Sequence, residues 1–268
     1  MPQSVLAEPY ARVLPAPSWE NLNHFTNPQS NVSILFPHKE SKTERPKSLT
    51  IRFSRAADLE QVVDLYSGDR KKTIDPKNFI RPRSYEELAE PVRSGAAALA
   101  IDEKGNIRAS ALASGYDDGN GGHNNITEVG AVMCDVGGVG LSKIIIAMLG
   151  LKQTFDPRAG DRVYAKVARD NVASNKIFSS SLDWDTVTCP KEAGTLYDIA
   201  YRGKTDQGKR DRLWYHFNDN AQGTASNIIQ SCVDQEALKA KDGSAIALNI
   251  EASSLWSTLH FYNMLSMN

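Results

Sequence analysis

Three closely spaced glycines lie in the middle of the chain, between an apolar strand-like segment and an amphipathic one. Gly137, Gly138 and Gly140 follow residues 126–134, and a helical pattern begins near Leu141. Glycine lets the backbone bring successive N–H groups close to a ligand, because no Cβ stands in the way. A helix start aims its unpaired N–H groups and its positive dipole end at the same point. The spacing therefore predicts an anion-binding site suited to a phosphorylated cofactor.

The same spacing disfavours two common nucleotide-binding motifs. A P-loop would continue with Lys and then Ser or Thr, whereas Gly140 is followed by Leu141 and Ser142. A dinucleotide-binding fingerprint would need a third glycine where this chain has Lys143. Both nucleotide-binding interpretations are therefore disfavoured, and a glycine turn that serves only tight packing remains the alternative.

The elements around the glycine turn alternate between strand and helix. Ser84 to Glu87 matches a capping box, so a helix should begin there, and Pro91 should end or kink it. Glu103 to Asn106 has the composition of a hairpin turn. This order favours an interrupted mixed sheet over a barrel. Periodicity predicts strands at 49–53, 96–102, 107–114, 126–134, 162–168 and 195–201, and helices at 56–66, from 84, at 141–149 and at 171–182.

Composition divides the chain into three parts. Seven of the twelve prolines lie in residues 1–46, so residues 1–48 are predicted to form an extended arm or linker, with a disordered tail as the alternative. Residues 49–202 carry the alternating elements of one domain. Residues 203–268 form an extension packed on that domain, with a helix at 226–239, a strand at 246–250 and a helix at 254–265. The extension could complete the sheet or form an oligomer contact, as in a homodimer.

Charge and hydropathy disfavour several classes of protein. The formal net charge of −1 gives no global field that would attract nucleic acid. The longest apolar run, residues 144–151, is too short to cross a bilayer, and the first residues lack a secretion signal. Three widely spaced cysteines disfavour a disulfide framework or a structural zinc site. We therefore expect a cytoplasmic protein with no membrane and no nucleic-acid partner.

Three segments, taken in order, resemble the GNAT superfamily of N-acetyltransferases. Ile51 to Tyr66 resembles the opening strand and helix of that family, and Asp135 to Gly140 its pyrophosphate loop. Asn171 to Phe178 resembles the second segment that contacts the cofactor. The match covers roughly residues 49–202. It implies an α+β fold whose mixed, mostly antiparallel central sheet is flanked by helices on both faces.

The resemblance also implies an activity and a set of binding residues. The activity would be acyl-CoA-dependent N-acyltransfer, with acetyl-CoA as co-substrate and no metal. The acceptor would be the amine of a small molecule, peptide or protein, which attacks the thioester directly. Backbone N–H groups of Val132 to Cys134 would stabilise the oxyanion. The cofactor-binding residues would be Met133, Cys134, Val136, Gly137, Gly138, Val139, Gly140, Leu141, Asn171 and Phe178.

Glu128 is the candidate catalytic base. An amine with a pKa near that of lysine, about 10.4, is mostly protonated at neutral pH and must lose a proton before it attacks. Members of the family often place a glutamate on the strand before the pyrophosphate loop, where Glu128 lies. The alternative is an ordinary strand residue that faces solvent.

Asp135 and Phe178 depart from the family pattern, and the family's glycine is also missing from the segment Ser181 to Trp184. Asp135 stands where Gln or Arg is usual, so its carboxylate would repel a diphosphate unless it turns away or pairs with a cation. Phe178 stands where many members carry a tyrosine that protonates the leaving thiolate. These departures keep two alternatives open: a non-catalytic GNAT-like module that binds CoA or a protein, and an acyltransferase that depends on an acyl carrier protein.

Other reactive residue types have simpler interpretations. Cys134 has no histidine within ten residues, so a small buried strand residue is favoured over a nucleophile. Tyr164 could serve as a general acid, but an ordinary strand aromatic is favoured. Asp117, Asp118 and His123 lack the spacing of a calcium loop, which favours a solvated loop beside the acceptor pocket.

The basic cluster of residues 70–72 lies between the first two predicted helices, a region that often shapes acceptor binding in the family. A solvated turn is the favoured interpretation.

Overall fold

The computed structural model describes residues 45–117, 123–155, 162–188, 211–239 and 243–260. Within these ranges, nine strands form one open sheet in the order β6-β7-β5-β4-β3-β2-β1-β9-β8. Only β1 with β9 and β4 with β5 pair in parallel, and the other neighbours are antiparallel. The strands are β1 Ser48–Phe53, β2 Ala97–Asp102, β3 Ile107–Asp117, β4 His123–Cys134, β5 Arg162–Ala168, β6 Asp185–Val187, β7 Arg212–His216, β8 Ala237–Lys239 and β9 Ala245–Ile250.

The described helices are mostly short. They are α1 Leu59–Tyr66, α2 Gly68–Ile74, α3 Tyr85–Arg93, α4 Leu141–Phe155, α5 Val172–Lys176, α6 Asp219–Gln235 and α7 Ala252–Leu255. A 3₁₀ turn at Ala56–Asp58 leads into α1, and wider π-helical turns at Ile177–Ser181 and Trp256–His260 follow α5 and α7. In the ranges that the structure describes, no helix combines the length and hydropathy needed to cross a membrane.

Helices cover both faces of the sheet, which confirms the predicted α+β class. Successive residues of β2 alternate between two core clusters, because neighbouring side chains of a strand point to opposite faces. Ala98 and Ala100 belong to the larger cluster, which contains the apolar side chains of α4 and α6. Ala97 and Leu99 belong to the smaller cluster, formed with α1 and α3.

Local sequence signals place several elements correctly. Ser84 Oγ accepts a hydrogen bond from Glu87 N, and the Glu87 carboxylate accepts one from Ser84 N, so the predicted capping box starts α3. Pro91 does not end that helix, which continues to Arg93. The turn at Glu103 to Asn106 joins β2 to β3, as predicted.

The part of residues 203–268 that the structure describes belongs to the same sheet. β7 lies between β5 and β6, and β9 pairs with β1, so the sheet does not divide at residue 202. The helix predicted at 226–239 is instead α6, followed by β8. Asn218 caps its start by accepting a bond from Ala221 N, and Glu236, at φ 51°, ends it. The predicted strand at 195–201, and residues 1–44 of the predicted arm, lie outside the described residues.

Candidate functional site

The parallel strands β4 and β5 separate after a short ladder. They pair only at Ile126 with Arg162, Thr127 with Val163 and Glu128 with Tyr164. Beyond Glu128, both strands line a cleft of about 350 Å³ that reaches Ser142, in the first turn of α4. Among the described strands, none pairs with this side of β4 after Glu128. The separation therefore leaves backbone groups of β4 available to a ligand.

A β-bulge shapes β4 beside the cleft. Leu112 of β3 pairs with Gly130 and Ser110 with Met133, so β4 has one residue more than β3 in this interval. Ala131 takes the left-handed φ of 49°, and its carbonyl accepts a hydrogen bond from the Tyr66 hydroxyl. Burial raises the pKa of Tyr66, so that hydroxyl stays protonated and remains a donor.

The bulge also switches the side-chain alternation of β4. Val129 lies in the larger core cluster and Met133 in the smaller one, although their separation of four residues would place them on one face of a regular strand. The consequence is that backbone groups between these residues can point along the cleft.

Glu128 lies where the two strands separate, and its side chain lines the cleft. Its carboxylate is 2.9 Å from Lys166 Nζ on β5, and the two side chains are 19% and 8% exposed. Glu128 is thus a cleft residue held in an ion pair, and not the solvent-facing strand residue of the alternative interpretation.

Four of the predicted cofactor residues line the cleft, namely Met133, Cys134, Asn171 and Phe178. The others are Val136 to Gly140, in the loop that enters α4, and Leu141, the first residue of that helix, and they are not among the residues that line the cleft. The side chains of Val136, Val139 and Leu141 are buried in the larger core cluster, so the loop offers a ligand its backbone.

The glycine loop has the geometry that its composition predicts. Gly138 and Gly140 have φ values of 79° and 75°, in the left-handed region that favours glycine. A Cβ at Gly138 would meet no atom within 4 Å, so the space above the loop is open. A Cβ at Gly140 would lie 3.0 Å from Lys143 Cε. The stem of Lys143 therefore lies beside the loop, a cation that sequence reasoning did not assign to the site.

Asn171 and Phe178 are fixed by local contacts. Asn171 Oδ1 accepts a hydrogen bond from Ser174 N at 3.2 Å, which caps α5. The Phe178 ring is buried, stacked on Tyr215 at 5.6 Å and in edge contact with Trp184 at 5.0 Å. The Tyr215 hydroxyl donates to Asn175 Oδ1 at 2.9 Å, and burial raises the pKa of Tyr215 to about 12.

Asp135 is held by cations and does not face the loop as an unpaired charge. Arg108 Nε and Arg70 Nη2 both donate to its carboxylate, and its side chain is 8% exposed. The sequence left open whether Asp135 turns away from the diphosphate or pairs with a cation. In the structure, Asp135 pairs with cations.

The basic cluster of residues 70–72 is not a solvated turn, and that interpretation is wrong. The three residues lie in α2. Arg70 reaches Asp135, and buried Lys71 donates to Asn78 Oδ1 at 2.7 Å. Only Lys72 is strongly exposed.

Cys134 and Tyr164 have surroundings that fit the simpler interpretations of the sequence. The Cys134 thiol contacts the Val136 carbonyl at 3.3 Å, and burial raises its pKa, which disfavours a thiolate nucleophile. Tyr164 is a buried strand aromatic beside Trp214. Asp118 lies outside the described residues. Within the described ranges, no group of three or more His, Cys, Asp and Glu residues could hold a metal ion.

Sequence reasoning missed the basic side chains of the cleft. Arg81, Arg83, Lys166 and Arg212 line it from three separate elements. Long-range packing brings them together, so no spacing rule could find them. The only local signal was the pair of arginines immediately before the capping box of α3.

The chain is similar to several solved acetyltransferases. Diaminobutyrate acetyltransferase from Paenibacillus lautus, in complex with L-2,4-diaminobutyric acid and coenzyme A, is 16% identical with a TM-score of 0.44, over 65% of this chain and 98% of that one. N-acetylglutamate synthase from Neisseria gonorrhoeae, complexed with coenzyme A and N-acetyl-glutamate, is 12% identical with a TM-score of 0.45, over 63% of this chain and 35% of that one.

A third similar structure is the GNAT superfamily phosphinothricin acetyltransferase of Sinorhizobium meliloti, in complex with acetyl-CoA. It is 17% identical with a TM-score of 0.42, over 63% of this chain and 86% of that one. No family model matches the chain, and no curated protein matches it in sequence.

Proposed function

We propose that this chain is a divergent GNAT acyltransferase that moves an acyl group, most simply acetyl, from CoA to an amine. The observation that carries the proposal is the separation of β4 and β5 after Glu128, with a cleft between them that reaches the glycine loop and the first turn of α4. An elongated ligand fits such a cleft, with its phosphates at one end and its reactive group at the other.

The glycine loop fits a diphosphate. Gly138 and Gly140 hold a backbone turn that other residues adopt at a cost, and the space above Gly138 is open. The first N–H groups of α4 point out of the helix start toward the same region. Lys143, whose stem lies beside Gly140, adds positive charge. When bound, acetyl-CoA would supply the acetyl group as a thioester.

Glu128 is the base in this proposal. Its carboxylate lines the cleft and is 2.9 Å from Lys166 Nζ, so the ion pair fixes its position at the point where the strands separate. The acceptor binds as an ammonium ion and must lose a proton to attack. Glu128 would take that proton directly or through a water molecule.

Backbone N–H groups near the end of β4 would stabilise negative charge on the thioester oxygen. Residues 130–134 line the cleft, and the bulge at Ala131 fixes their direction. Phe178 has no hydroxyl, so the proton for the leaving thiolate must come from elsewhere. This absence is the observation that favours the second candidate function, a module that binds CoA without catalysis.

Calorimetric titration with CoA tests the binding half of the proposal. We expect one CoA site per chain. A Val132→Trp variant should lose CoA binding, because the larger side chain fills the cleft between the strands. The exposed position Val172 offers a control, since Val172→Ala changes an apolar surface residue outside the cleft. A wild-type protein that binds no CoA would refute the proposal.

A further inference from the structure

The charged side chains that line the cleft are unevenly balanced. Four are cations and two are carboxylates: Arg81, Arg83, Lys166 and Arg212 against Asp75 and Glu128. Both carboxylates already contact a lysine. Glu128 lies 2.9 Å from Lys166, and Asp75 lies 3.4 Å from the buried Lys71, which is outside the lining. The cleft thus has an excess of positive charge that is suited to an anionic group.

Arg83 differs from its neighbour Arg81 in its hydrogen bonds. Arg81 donates two bonds to the Glu87 carboxylate, at 2.9 and 2.6 Å. The Nε of Arg83 is buried and has no hydrogen-bond partner in the structure. A buried N–H of a charged group without a partner is unfavourable, and such groups are usually satisfied in the functional state of a protein. Arg83 Nε is therefore a buried donor that an anion bound in the cleft could satisfy.

The position of Arg83 indicates which ligand would supply that anion. Arg83 precedes α3, and α3 packs in the smaller core cluster on one face of the sheet. The glycine loop leads into α4, which packs in the larger cluster on the opposite face. The two helices thus lie on opposite faces of the sheet, and Arg83 lies just before the helix on the face opposite to that of the helix that follows the glycine loop.

We propose that Arg83 binds a carboxylate of the acceptor, so that the acceptor is an amine that also carries a carboxylate, as a free amino acid does. A guanidinium matches a carboxylate with two parallel hydrogen bonds, and its planar geometry fixes orientation as well as charge. This contact would hold the acceptor so that its amine reaches Glu128. The inference rests on the proposed acyltransfer at the same cleft.

The test compares matched acceptors in the full chain. A panel of amino acids and their carboxamides is assayed for acylation with acetyl-CoA by wild type, Arg83→Gln, Arg83→Lys and the control Arg93→Gln, which alters an exposed arginine at the end of α3. We expect wild type to prefer an acid over its amide by about 10- to 100-fold in kcat/KM. Arg83→Gln should remove that preference, Arg83→Lys should keep part of it, and Arg93→Gln should keep it all.

CoA titration of the same variants separates the possible failures. Unchanged CoA affinity in Arg83→Gln, with the preference for acids lost, supports the inference and shows that the variant folds. A weaker CoA affinity in that variant would mean that Arg83 contacts a phosphate of the cofactor, and the inference would be overturned. If the wild type binds CoA and acylates acids and amides equally, the inference about Arg83 is overturned and the proposed acyltransfer stands. A wild type that binds no CoA would overturn the proposed function as well.

Discussion

Arg108 Nε donates hydrogen bonds to both carboxylate oxygens of Asp135, at 2.9 and 3.1 Å, directly before the glycine loop. Asp135 N donates in return to the Arg108 carbonyl at 3.0 Å. Arg108 Nη1 also lies 3.3 Å from Asp102, and Arg70 Nη2 donates to Asp135 at 3.2 Å. This buried network ties β3 and α2 to the start of the loop. A carboxylate here therefore positions the loop, where the sequence alone suggested repulsion of a diphosphate.

Asp135→Asn should destabilise the protein and weaken CoA binding. Removing a buried charge leaves Arg108 and Arg70 without their shared partner, and we expect a loss of about 2–3 kcal/mol in the free energy of unfolding, because Asp102 still pairs with Arg108. Urea unfolding measures this. The control Asp69→Asn breaks an exposed pair with Lys72 and should change stability by less than about 0.5 kcal/mol. Unchanged stability together with tighter CoA binding would restore the repulsion hypothesis.

Gly138→Glu should abolish CoA binding, because it adds bulk and negative charge where the backbone would approach the diphosphate. Gly105→Glu is a matched control. Gly105 has a φ of 82°, close to the 79° of Gly138, and a Cβ at either position would meet no atom within 4 Å. Backbone strain should therefore lower the free energy of unfolding of both variants by a similar amount, about 1–2 kcal/mol. Calorimetry showing that Gly105→Glu loses CoA binding as fully as Gly138→Glu would point to general destabilisation.

Asp58 should make stability depend on pH in acid. Burial alone would raise its pKa, but hydrogen bonds from Arg52, at 2.7 Å to each oxygen, and from Arg55 N hold the pKa below its usual value. The unfolded chain then binds more protons near pH 4, so this stabilisation is present above the unfolded pKa of about 3.9 and is lost as pH falls through the folded pKa.

Asp58→Asn should accordingly lower the free energy of unfolding at pH 7 and flatten its decline between about pH 5 and pH 2. Unfolding curves across that range measure the effect. Asp64→Asn, at a carboxylate that is 66% exposed and 3.7 Å from Arg70, should keep the wild-type slope. An Asp58→Asn variant with the wild-type slope would show that the Arg52 pair contributes nothing to acid unfolding.

Glu128→Gln keeps the size of the side chain and its capacity to hydrogen-bond Lys166, but removes the basicity. Turnover should fall by roughly 10²-fold or more at neutral pH with nearly unchanged CoA affinity. The loss should shrink at high pH, where free amine is abundant. Glu60→Gln, at an exposed residue of α1, should behave as wild type. Wild-type turnover in Glu128→Gln would return Glu128 to a structural role in the ion pair.

Local patterns predicted the elements whose signals lie close together in the sequence. The Ser84 capping box, the turn at 103–106 and the glycine loop before α4 each depend on a few adjacent residues, and all three are present. The start of α6 was missed because the cap at Asn218 precedes a stretch with little amphipathic contrast.

The rest of the site depends on contacts between distant residues. The bulge at Ala131 follows from pairing between β3 and β4. The insertion of β7 between β5 and β6 and the pairing of Asp135 with Arg108 likewise join positions separated by 26 residues or more. Sequence reasoning therefore singled out Glu128 and the glycine loop, but could not find the cations around them.

Transfer of a labelled acetyl group from acetyl-CoA to a panel of amines is the most direct test of acyltransfer at this cleft. We expect wild type to move the label into an amide of the acceptor, with none retained on the protein, because the amine attacks directly. The same assay with Gly138→Glu should show no transfer. Wild type that binds CoA but moves no label to any amine, or that keeps the label in a covalent bond, would contradict the account.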